Sequence, residues 1–68
     1  MTERLVSTLK DVRETRGLTQ AQLAEAIGVS RKTINTVENG VYVPSTVIAL
    51  KLAAVLGTPV ETLFSLAE

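Results

Sequence analysis

The chain predicts an all-α fold, a compact bundle of five short helices. Strand-like alternation is scarce, helix-capping signals recur at short intervals, and the apolar residues between those signals repeat at helical spacing. Its 68 residues are 46% hydrophobic, which suits one small domain, residues 1–68, that can build a core without staples.

Helix 1 carries Leu5, Leu9 and Val12 at i, i+4 and i+7, and Gly17 supplies the left-handed residue that stops it near Arg16. Thr2 and Ser7 both qualify as its N-cap. Helix 2 opens with Thr19 and Gln22 in capping-box spacing, buries Leu23, Ala24 and Ile27, and ends at Gly28. Helix 3 is capped by Ser30, whose hydroxyl can accept from the Thr33 amide, and ends at Asn39 before Gly40. Helix 4 follows Ser45 and runs to Leu56 before Gly57; it is apolar almost all round, which makes it the centre of the bundle or the lining of a subunit interface. Helix 5 starts with Thr58 as cap, Pro59 in the first helical position and Glu61 completing a second capping box. The end segments RLVS and LFSLA are also short and mixed enough to pair as a two-strand ribbon.

Composition removes several functions. With no cysteine there is no disulfide framework and no thiolate metal site, and with no histidine the commonest general base and metal ligand is missing. The seven acidic residues never fall as E-x-x-E or D-x-D, so the expectation is no enzyme, no metal and no cofactor. No stretch reaches the ~18 apolar residues of a membrane span and the N-terminus lacks a signal-peptide layout, so a cytoplasmic protein without membrane partners is expected.

Attention then falls on TQAQLAEAIGVSRKTINTVENG, residues 19–40. The link between helices 2 and 3 is too short for an antiparallel pair and sets them at a steep crossing. Ala24 lets the helices approach, Gly28 takes the positive φ of the turn, and Val29, Ile34 and Val37 plug helix 3 into the domain. At ~100° per residue, Lys32, Asn35, Thr36 and Asn39 then point within about 60° of the direction opposite to Ile34 and Val37, with Arg31 at the margin. Arginine or lysine can donate twice to guanine, asparagine can pair with adenine, and the Thr36 methyl suits thymine; the alternative is an ordinary hydrated helix face.

The spacing of Gln20, Leu23, Ala24, Gly28, Val29, Ile34 and Val37, continued by ENG, YVPS and LKLAAVLG, resembles the Cro/C1-type (XRE-like) helix-turn-helix transcriptional regulators over about Leu9 to Phe64. That resemblance implies a lambda-repressor-like DNA-binding domain and a sequence-specific regulator of transcription, expected to repress. It implies base contacts from Arg31, Lys32, Asn35 and Thr36, and a phosphate contact from Gln20 helped by the amides of that helix end. Asn39, Tyr42 and Ser45 look like a second phosphate clamp, although turn chemistry at Asn39-Gly40 and Pro44-Ser45 accounts for them equally well. The resemblance also pairs Arg13 with Glu38 as a structural ion pair between helices 1 and 3.

A net charge of zero and a pI of about 6.2 argue against a strong grip on phosphate. Six of the seven basic residues, however, lie between Arg4 and Lys32. The expectation is double-stranded DNA bound with a modest salt slope by a homodimer on a near-palindromic site. Leu63, Phe64 and Leu66 are candidates for the dimer contact; core packing competes for Leu63 and Phe64, while Leu66, with Leu50 or Val47, is hard to place inside a monomer. No small-molecule ligand is evident. Rival readings are a protein-interaction module such as an antitoxin, and a controller of a restriction-modification operon.

Overall fold

The computed structural model describes residues 4–67. The chain runs β1 (Leu5–Ser7), α1 (Leu9–Thr15), α2 (Gln20–Ile27), α3 (Arg31–Glu38), α4 (Thr46–Leu56), α5 (Val60–Leu63) and β2 (Phe64–Leu66). Every helix sends a fully buried side chain to one core: Leu9, Leu23, Ile34, Leu52 with Leu56, and Leu63. Truncating any of these to alanine removes contacts worth about 2–5 kcal/mol.

The local capping chemistry explains where α2, α3 and α4 begin. The Thr19 hydroxyl accepts from the Gln22 amide (3.0 Å) while the Gln22 side chain accepts from the Thr19 amide (2.9 Å). Ser30 and Ser45 accept from the amides of Thr33 and Ile48, each at 3.2 Å. Lys51, the one charge of α4, reaches the Ile27 carbonyl at the end of α2 (3.5 Å), where a cation meets the negative end of the helix dipole.

The chain ends depart from the local pattern. Leu5 stands in a strand rather than on α1, because β1 pairs antiparallel with β2 in the register Leu5↔Leu66, Val6↔Ser65, Ser7↔Phe64. The Ser7 hydroxyl accepts from the Leu9 amide, and Thr8 bonds the end of α5 twice, its amide to the Leu63 carbonyl (2.9 Å) and its hydroxyl to that of Thr62 (2.8 Å). Thr2 lies outside the described residues. Helix α5 is also shorter than expected: Thr58 donates to the Leu56 carbonyl instead of capping, and the backbone becomes extended at Phe64. That extension carries the Phe64 ring into the core, where it is 8% exposed and anchors a ribbon that would be marginal alone.

Helix α4 is one-sided after all. Ala49, Leu52 and Leu56 are buried, whereas Val47, Leu50 and Val55 face outward and stay exposed. Together with Leu5, Val43, Pro44, Thr46, Ala49, Val60 and Phe64, Leu50 lines an apolar hollow of about 230 Å³ between α4 and the ribbon.

Candidate nucleic-acid interface

The turn between α2 and α3 is set by Gly28, at φ 76° and ψ 33°, a conformation that costs a side-chain-bearing residue about 1–2 kcal/mol. The next amide, of Val29, closes back on the Ala24 carbonyl (3.0 Å), and Val29 packs on the core. Ser30 then caps α3 at once. With Ile34 and Val37 buried, α3 has no rotational freedom about its axis, and its outward side is thereby decided.

On that side Arg31, Lys32 and Asn35 are exposed and Thr36 is half-buried. The Thr36 hydroxyl is turned back into its own helix, donating toward the carbonyls of Lys32 and Thr33 (both 3.0 Å), so the methyl is the group Thr36 has to offer. One turn further on, the Asn39 amide nitrogen donates to the Asn35 side-chain oxygen (3.2 Å). That oxygen keeps a second lone pair and the Asn35 NH2 keeps its donors, which leaves the two-point pattern for adenine intact. The amides of Val41 and Tyr42 both return to the Thr36 carbonyl (2.9 and 3.2 Å), bringing Tyr42 beside Lys32 and Thr36 around one open hollow. Ser45 caps α4, its hydroxyl oxygen accepting from the Ile48 amide, a bond that does not use the hydroxyl hydrogen.

Behind this face lies an ionic knot. Arg13, 7% exposed, donates from Nε to Glu38 Oε2 (2.6 Å), from Nη2 to Glu38 Oε1 (3.3 Å) and from Nη1 to the Leu18 carbonyl (2.8 Å). Hydrogen bonding to Glu38 holds the Arg13 pKa above its ordinary value against the opposing effect of burial. Glu38 accepts a further bond from Gln20 Nε2 (3.0 Å), so α1, α2 and α3 meet on one carboxylate. Gln20, at the first position of α2, also lines an open hollow of about 390 Å³ with Arg31, Lys32 and Asn35. The N-terminal end of α2 and the outward face of α3 are thus one continuous polar surface with two cations and no exposed carboxylate on α3.

Comparison with known proteins agrees with this geometry: the helix-turn-helix family HTH_3 matches residues 9–63. The chain belongs to that family. Among its relatives, the HTH-type transcriptional regulator YgzD of Bacillus subtilis is 38% identical over 60 residues, covering 88% of this chain and 91% of the relative. Two solved HTH structures are similar in fold. The restriction-modification controller protein C.AhdI of Aeromonas hydrophila superposes with a TM-score of 0.73 at 36% identity, over 78% of this chain and 80% of its own. SinR, the master regulator for biofilm formation, solved in complex with DNA, gives a TM-score of 0.73 at 31% identity, over 79% of this chain and 87% of its own.

Set within this HTH_3 fold, the candidates read from the sequence divide into two groups. Arg31, Lys32, Asn35, Thr36, Gln20 and Tyr42 border neighbouring hollows on one side of the helix pair. Leu63 and Phe64, proposed for a dimer contact, are buried in the chain's own core, which corrects that part of the expectation and leaves Leu66 on the surface. The Gln20 to Glu38 bond had no sequence signal, since the residues are eighteen apart. The Asn35 to Asn39 pair and the back-bonded Thr36 hydroxyl were readable from i, i+4 spacing.

Proposed function

We propose that the chain is a sequence-specific regulator of transcription that binds double-stranded DNA with α3 in the major groove. In this reading it is a cytoplasmic repressor that acts as a homodimer on a near-palindromic operator. The observation that carries the reading is the outward face of α3: two cations, one amide and one methyl held rigidly by the burial of Ile34 and Val37. A groove-reading helix needs such a set, because donors and a methyl are what guanine, adenine and thymine edges accept. Gln20 and Tyr42 flank it where backbone phosphates would pass, Asn39 follows as the C-terminal cap of α3, and SinR, a fold neighbour, is known bound to DNA.

Dimerisation is assigned to the apolar side formed by Val43, Val47, Leu50 and Leu66, which are 57–68% exposed. Residues 39–50 contain no charge, and a two-fold contact between identical surfaces avoids setting like charges against each other. The same patch would serve a protein-interaction module, so the deciding experiment is selection of bound sequences from a random duplex pool. Enrichment of an inverted repeat with half-site centres about one helical turn apart supports the homodimeric DNA reader. A folded chain that enriches nothing overturns it in favour of a protein partner.

A further inference from the structure

We infer that Glu38 is a positioning residue for DNA binding: its carboxylate holds the Gln20 side chain so that Gln20 and the first amides of α2 meet a single phosphate together. The inference rests on the DNA-binding reading above. Glu38 has a side chain only 3% exposed and is fixed by Arg13 at 2.6 Å, so it cannot follow Gln20 outward. Gln20 must come to it. One hydrogen of Nε2 is spent on Glu38 Oε1 at 3.0 Å, and the second remains for the open side, where Gln20 borders hollows shared with Arg31. Because the Thr19 hydroxyl takes the amide of Gln22, the amides of Gln20 and Ala21 remain as donors at the helix start. A long amide side chain loses rotamer freedom when it is pinned. Here that loss occurs on folding, before any DNA arrives. The Glu38 charge is neutralised by Arg13, which lets a carboxylate stand behind a phosphate-binding donor without repelling the phosphate.

The test is a double-mutant cycle on the duplex enriched by the unmodified chain, with Q20A, E38Q and the double variant, each checked for a cooperative thermal transition above the assay temperature. Positioning predicts that each single change weakens binding by about fivefold, the worth of one hydrogen bond, and that the double variant is also weakened about fivefold. A double variant weakened about 25-fold, the product of independent effects, overturns the inference. Nitrogen-15 relaxation of the Gln20 side-chain amide in the unmodified, DNA-free chain decides independently of whether E38Q folds. Order approaching that of the rigid backbone supports positioning, and a freely rotating amide overturns it. If the unmodified chain enriches no duplex, the DNA reading itself fails, whereas an ordered Gln20 amide would still show the contact with Glu38.

Discussion

Lys32 and Asn35 stand on the outward face of α3 with no structural duty in the core, so their replacement tests reading rather than folding. K32A or N35A should each cost about 1–3 kcal/mol on the preferred duplex and change base preference there, while Q20A should weaken all duplexes alike. Competition binding against single-base variants of the selected site separates the two patterns. Thr36 gives a sharper case. Its hydroxyl is satisfied within the helix, so T36V, which keeps the methyl, should bind within about twofold of the parent, whereas T36S should lose discrimination for thymine. A loss in T36V with binding retained in T36S, measured by the same competition, would show that the hydroxyl faces the bases. Of this residue-level picture, the identities and the side of the helix were readable from periodicity, because Ile34 and Val37 leave α3 one way to pack. The engagement of Gln20 by Glu38 was not, because no local rule joins residues on different helices.

At the level of elements, the crossing of α2 and α3 depends on one backbone conformation. A Cβ built on Gly28 meets nothing within 4 Å, so the penalty for G28A is conformational strain and not a clash. G28A should therefore lower stability by about 1–2 kcal/mol. In calorimetry this is a fall in Tm of about 4–8 °C per kcal/mol for a domain of this size. DNA affinity below the transition should be retained, since relief of strain would otherwise need the helices to shift. Caps and left-handed glycines made α2, α3 and α4 legible to the residue, as each signal acts within four positions. The ends of the chain were less legible. A local period placed Leu5 on a helix, but pairing with Leu66 and the pull of Phe64 into the core outweighed it.

For the whole molecule, the question is how a neutral chain holds a polyanion. Of the six basic residues before residue 33, Arg13 is spent on Glu38, Arg16 stands beside Gly57 at the end of α4, Arg4 and Lys10 are exposed before β1 and on α1, and only Arg31 and Lys32 lie on the α3 face. Even if both cations of that face neutralised phosphate charge as well as reading bases, the slope of log K against log salt would be no steeper than about −2 per domain, measured by titration at several salt concentrations. A slope beyond about −5 per domain would mean that other cations contact DNA. With so weak a grip from one copy, the proposed homodimer predicts that affinity depends on the second. L50E, which sets a charge in the apolar patch, should leave the monomer folded yet abolish the dimer in sedimentation and weaken binding to the inverted repeat more than to a half-site. Unchanged sedimentation would place the contact elsewhere.

Short-range signals in the chain were enough to specify five helices, the α2–α3 turn and the outward face of α3, because capping, glycine conformation and helical period all act within a few residues. Contacts between distant residues were needed for the rest: the ribbon that joins the two ends, the withdrawal of Leu63 and Phe64 into the core, and the single carboxylate that ties Arg13 to Gln20. Those outcomes depend on which surfaces meet once the helices pack, and a competition for burial among residues 5 to 66 is settled in three dimensions, not along the chain.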